Sequence, residues 1–211
     1  MNSQGSQRPC PRFFYFDMGN VLLDFDHDIA CRRVAALTGL AADRVRQEIF
    51  RSGLELRYER GELTTEEFHA EFCRRTGAEM AVDQLAEACS DIFSLKPEMP
   101  GLLRQLRAAG HRLGLLSNTC AAHWQFVYPR GFAELWPPFE QFALSFELRS
   151  LKPEPQIYQQ AAALAGCALA EIFFVDDRAD NIAQARDLGM DAVQFESPER
   201  LIDDLRARGA L

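Results

Sequence analysis

The second half of the chain alternates two kinds of segment, and that alternation constrains the fold most. From Pro97 onward, short apolar runs are followed by amphipathic stretches of about ten residues. HRLGLLSN, QFALS, AEIFFVDD and DAVQF read as strands. GLLRQLRAAG, PEPQIYQQAAALAG, ADNIAQARDLG and PERLIDDLRARG read as helices, several closed by glycine. Strands separated by helices cannot pair as hairpins. They form a parallel sheet with crossover helices, a Rossmann-like α/β core. The aromatic run RFFYFD, near the start, reads as one more buried strand ending in Asp17.

Between that strand and the alternating half, the rhythm is helical. DIACRRVAALTGL, DRVRQEIFRSG, TTEEFHAEFCRRTG and VDQLAEACSDIF each carry an apolar face. Four short helices with no strand between them do not belong to the sheet. They predict a small helical cap over residues 27–94, inserted after the first strand, with the core made of 12–26 and 95–211. Residues 1–11, rich in Ser, Gln and Pro, read as a loose tail. CAAHWQFVYPRGFAELWPPF is aromatic and irregular. It reads either as a packed segment, with His123 and Trp124 near the pocket, or as an oligomer surface.

The chain has 211 residues with 31 Asp and Glu against 23 Lys and Arg, a net charge of -8. That acidity argues against non-specific nucleic-acid binding, which needs a basic surface. No apolar run approaches the length of a membrane span, and the polar opening lacks the apolar core of a secretory signal. The six cysteines form no C-x-x-C pair. A reduced, cytoplasmic protein without structural zinc is expected; monomer and homodimer remain open.

In open α/β sheets, ligands bind beyond the carboxyl ends of the strands. The residues at those ends are Asp17, Ser117 and Asn118, Lys152, and the pair Asp176 and Asp177, with Asp180 on the next helix. Carboxylates converging in one crevice repel one another and are costly to bury unpaired. A hard divalent cation with oxygen ligands removes that cost, and Mg²⁺ is its natural identity. With Lys152 and a Ser hydroxyl beside it, the set suits phosphoryl transfer. Asp17 is the candidate nucleophile, able to form an aspartyl-phosphate, and Gly19 lets a substrate approach closely.

The segments FYFDMGNVLLDFD, LLSNT, SLKPEPQIY and FFVDDRADNIAQARDLGM resemble, in order and spacing, the four signatures of the haloacid dehalogenase-like (HAD) hydrolase superfamily. FDMGNVLLDFD is similar to its sugar-phosphate phosphatase branch, of the alpha-D-glucose-1-phosphate phosphatase kind. The resemblance implies a Mg²⁺-dependent phosphomonoesterase acting on a small phosphorylated metabolite. It implies Asp17 as nucleophile and metal ligand, the Gly19 carbonyl and Asp176 as further ligands, Asp177 or Asp180 as the holder of the metal's waters or of Lys152, and Ser117 as the binder of the transferred phosphoryl oxygen; Asp177 is counted with the metal groups. Asn118 would stand beside Ser117, Lys152 would neutralise nucleophile and phosphate, and the cap would select the substrate.

One departure is plain. Most phosphatases of the superfamily carry an acid two residues after the nucleophile, and this chain has Gly19. Asp24, Asp26 and His27 follow closely and are the sequence candidates for the missing proton. Asp26 is also a candidate substrate contact. Arg46, Arg51, Arg57, Tyr58 and Arg60 in the cap are weaker ones. Two alternatives to hydrolysis stand beside this reading: a metabolite-binding protein with little turnover, which rests on Gly19, and a sugar phosphomutase, which the missing acid disfavours. A dehalogenase would use Asp17 without needing the acid pair.

Overall fold

The computed structural model describes residues 10–129 and 131–211. The expected tail is described only for its last two residues. Five parallel strands form the sheet in the order β5-β4-β1-β6-β7. They are β1 (Phe13–Phe16), β4 (Arg112–Ser117), β5 (Phe139–Leu144), β6 (Ile172–Asp176) and β7 (Asp191–Gln194). The central strand β1 is buried on both faces, which is why it reads as a continuous aromatic run rather than an alternation. Phe14 and Phe16 enter one hydrophobic cluster with α6 (Met99–Ala108) and α11 (Pro198–Arg206). Phe13 and Tyr15 enter the other, with α9 (Pro155–Ala165) and α10 (Ala179–Asp187).

Register decides where chemistry can occur. Phe16 lies opposite Leu115 on β4 and Val175 on β6. One residue further on, Asp17 and Asp176 leave the sheet side by side, and the Asp17 N–H donates to Val175 O at 2.9 Å.

The insertion begins and ends in a short antiparallel ribbon, β2 (Leu23–Phe25) paired with β3 (Phe93–Leu95). The sequence reading missed this ribbon because three residues are too few to establish a period of two. The cap helices are α1 (His27–Thr38), α2 (Ala42–Arg46) continuing into a π-helical turn (Gln47–Arg51), α3 (Leu54–Glu59), α4 (Thr65–Thr76) and α5 (Val82–Ser90). The sequence suggested four helices; α3, six residues between glycines, is the addition. α4 starts with a reciprocal capping box between Thr64 and Glu67. The cap encloses its own cluster, including Val34, Ile49, Leu54, Phe72 and Leu85.

The residues just after α3 are tied to the core. After α3 the chain turns at Gly61 (φ 71°), where an added Cβ would lie 2.1 Å from the Phe146 carbonyl of α8 (Ser145–Leu148). Arg60 grips Glu154 through two hydrogen bonds, of 2.9 and 2.5 Å. The irregular aromatic segment contains α7 (Ala121–Val127). Its Trp124 stacks on Tyr128 at 4.6 Å, and Trp136 Nε1 donates to Val127 O at 2.9 Å, so the aromatics are packed. No helix among the described residues is long and apolar enough to cross a membrane.

Candidate active site

The strand tips build the floor of the site. Asp17 is 7% exposed, Asp176 0% and Lys152 5%, so these charges must find partners in the protein. Lys152 Nζ lies 2.9 Å from Asp17 Oδ1 and 2.5 Å from Asp176 Oδ2, and it also donates to Leu116 O at 3.0 Å. All three ammonium protons are thereby placed. Asp176 is held further by the Arg178 N–H (2.8 Å) and by Asn181 Nδ2, 3.0 Å from each carboxylate oxygen. The loop bearing Lys152 is pinned by Asn118, whose amide donates to Lys152 O at 2.9 Å and accepts from Lys152 N at 2.8 Å.

Asp17, Asp176 and Asp177 present oxygens that all lie within 4.8 Å of one another. Three carboxylates around one buried lysine leave excess negative charge. Burial, and then the neighbouring Asp176, push the Asp17 carboxyl up to about 7 although Lys152 opposes them. A carboxyl in this position lacks positive charge. An all-oxygen donor set with that deficit fits Mg²⁺. Lys152 stays above the ordinary lysine value: burial works against its charge, and Asp17 and Asp176 outweigh it.

Ser117 is buried at the tip of β4, its Oγ 3.3 Å from Asn118 O. Asn118 borders the cavity above the floor, but both ends of its amide are engaged by Lys152, so its side chain orders that loop. Asp177 accepts from Asn20 Nδ2 at 2.8 Å. Asn20 adopts a left-handed conformation (φ 55°), which asparagine tolerates better than most residues. The sequence reading did not single it out. Asp180 stands apart from the acid cluster, paired with Arg178 on the surface at 2.7 Å.

Several residues singled out in the linker and cap have partners of their own in the fold. Asp26, expected at the substrate, is exposed: its Oδ1 accepts from Asp28 N at 2.7 Å and caps α1. A helix with orphan N–H groups claims such a side chain first. Asp24 points outward to Lys96 at 2.5 Å. Arg60 is occupied by Glu154, Arg57 by Glu62 at 3.3 Å, and Arg46 by Asp28. The Tyr58 hydroxyl lies 2.7 Å from Thr65 Oγ1 and accepts from Ala122 N at 3.0 Å.

Between floor and cap lies a cavity of about 50 Å³, bordered by Met18, Gly19, Asn118, Thr119, His123 and Glu59, with His27 and aromatic residues behind. Thr119 Oγ1 is buried beside it without a hydrogen-bond partner. Burial lowers both histidines, His123 to about 4, with Arg46 contributing at His27, which stacks on Phe50 at 4.3 Å. Glu59 behaves oppositely. Burial and then Asp17 push it up to about 7, against the pull of Lys152 and Arg178.

Residues 12–189 match the haloacid dehalogenase-like hydrolase family. The chain belongs to that family. Among curated members it is 26% identical over 187 residues to D-ribitol-5-phosphate phosphatase of Bacteroides thetaiotaomicron, covering 86% of this chain and 90% of the relative. It is 28% identical over 166 residues to glyceraldehyde 3-phosphate phosphatase of Methanopyrus kandleri, covering 74% and 70%. Among solved structures it is similar to a HAD family enzyme of B. thetaiotaomicron in complex with magnesium and inorganic phosphate. The TM-score is 0.79 at 27% identity, over 90% of this chain and 98% of the other. The α/β core expected from the alternation is thus the fold of this hydrolase family.

Proposed function

We propose that this HAD-family hydrolase is a Mg²⁺-dependent phosphomonoesterase of a small phosphorylated metabolite, with a sugar or polyol phosphate as the substrate class. The observation that carries the reading is Lys152 Nζ bridging Asp17 and Asp176, with Asp177 alongside. Phosphatase relatives of similar length support the substrate class.

Asp17, Asp176 and Asp177, with the Gly19 carbonyl, would hold Mg²⁺. The bound ion supplies charge neutralisation at the phosphoryl oxygens and keeps Asp17 ionised. Asp17 is the nucleophile. Its Oδ1 already accepts from Met18 N at 2.7 Å and from Lys152, which fixes the carboxylate plane, and Oδ2 is the oxygen for attack on phosphorus. Ser117 and Lys152 bind the transferred oxygens, and Asn118 keeps Lys152 in place. The phosphorus–alcohol bond breaks as the aspartyl-phosphate forms, and water then releases phosphate from Asp17. The cap excludes bulk water and favours metabolites over large protein substrates.

The test is phosphate release from a panel of sugar and polyol phosphates and from p-nitrophenyl phosphate, with and without Mg²⁺. Asp17→Asn is expected to lower release by at least roughly 10³-fold while folding normally. Wild-type rates in that variant, or in EDTA, would end the proposal.

A further inference from the structure

An alkoxide leaving group needs a proton, and the floor of this site has no side chain placed to give one. Gly19 has no room for a replacement, because an added Cβ would lie 2.8 Å from Phe25 Cε1. Phe25 of β2 occupies the space an acid at 19 would need. Asp24 and Asp26 are committed elsewhere, to Lys96 and to the cap of α1. The residues bordering the cavity over Gly19 include one carboxyl, that of Glu59.

Glu59 is also held in position. It is the last residue of α3, and the helix is fastened to the core on both sides of it. Ser145, fully buried, places its Oγ 2.7 Å from Glu59 O and 2.9 Å from Thr119 O, and accepts from Thr119 N at 2.9 Å. This links the backbone of Glu59 to the segment that follows Asn118. The next residue, Arg60, grips Glu154 in the loop that carries Lys152. The cap thus delivers this carboxyl to a defined place over the floor, as proton transfer requires.

We propose that Glu59 is the general acid and base of this enzyme, supplying from the cap what Gly19 cannot supply from the loop. The proposal rests on the phosphatase reading above. As Asp17 attacks phosphorus and the phosphorus–oxygen bond to the alcohol breaks, the Glu59 carboxylic acid passes its proton to the departing oxygen and becomes a carboxylate. That carboxylate then takes a proton from the water that attacks the aspartyl-phosphate. The phosphorus–Asp17 bond breaks, phosphate leaves, and Glu59 is protonated again. The two histidines that also border the cavity are packed elsewhere: His27 stacks on Phe50 and lies 3.6 Å from Glu55, and His123 packs edge-on against Phe93.

The experiment compares wild type, Glu59→Gln and Glu59→Asp on p-nitrophenyl phosphate, whose phenolate leaves without a proton, and on phenyl phosphate, whose leaving group is far more basic. Glu59→Gln is expected to release a burst of about one nitrophenolate per enzyme and then turn over ~10²–10⁴-fold more slowly than wild type. With phenyl phosphate it should fall at least as far and give no burst. Glu59→Asp, which keeps a titratable carboxyl, should recover part of the loss. Glu59→Gln within threefold of wild type on both substrates would overturn the proposal. So would an equal loss on both without a burst, or an Asp variant no better than Gln, since each points to disturbed structure. If Asp17→Asn is inactive while Glu59→Gln is normal, only this inference fails. If Asp17→Asn is active, the phosphatase reading fails first.

Discussion

The floor and the roof of the site give their buried carboxyls different partners. On the floor, acids at adjacent strand tips share a lysine whose three protons all have acceptors. In the roof, α3 directs Glu55 and Glu59, one turn apart, toward the interior, where burial raises both and their mutual repulsion adds to Glu55. The partner of Glu55 is His27, 3.6 Å away, itself held toward its neutral form by burial. Burial raises Asp17 and Glu59 alike, to about 7, but the floor places a lysine in direct contact with its carboxylates and the roof does not. A nucleophile must be ionised and a leaving-group acid must be protonated, so the two environments suit two different tasks.

The largest test of this contrast is at Lys152. Lys152→Met removes the one cation between Asp17 and Asp176 and leaves their charges buried without it. A loss of about 3–5 kcal/mol in urea unfolding is expected, partly restored by Mg²⁺. An unchanged midpoint would mean that the floor does not depend on the pair.

The next test is pH. His123 is lowered to about 4 in the fold, against an ordinary value near 6.5. The unfolded chain therefore binds the proton first as pH falls. His123 contributes full stability above ~6.5 and loses ~3 kcal/mol as pH drops through that window toward 4. The difference in unfolding free energy between wild type and His123→Gln should carry this slope; a flat difference would contradict it.

Glu59→Gln tests the roof with the opposite sign. Its folded value is raised to about 7, so the cost to the native state builds as pH rises from the ordinary glutamate value, about 4.3, and is full above about 7. The variant should be more stable than wild type by on the order of 2 kcal/mol at pH 8, and the gain should vanish as pH falls toward the ordinary glutamate range. A more stable variant that has lost turnover would be the signature of a strained functional group. Asp26→Ala is the smallest expected effect: about 1 kcal/mol from the lost cap of α1, with kcat and KM unchanged. A raised KM would return Asp26 to the substrate, where the sequence reading placed it.

Much of the floor was legible in the chain. Asp17, Ser117, Lys152, Asp176 and Asp177 each follow or terminate a strand-like segment, and parallel register brings strand tips to one edge of the sheet. The roof was not legible. Glu59 lies in LELRYERGE, where charged residues at several positions read as a solvated helix face. A polar letter in a short helix does not reveal which way its side chain points. The hint that was present was the pair of glycines, Gly53 and Gly61, bracketing a helix too short to stand alone.

The sequence by itself determined the parallel sheet, its inserted helices and the acids and lysine at the strand ends, because periodicity and strand termini are local properties of the chain. Tertiary structure alone decided that Phe25 fills the space beside Gly19, that Asp24 and Asp26 turn away, and that Glu59 borders the cavity over Gly19. Those outcomes depend on how the cap is fastened to the core through Ser145, Arg60 and Gly61, contacts between residues far apart in sequence. Burial, which sets the protonation of Asp17 and Glu59, exists only once both layers have packed together.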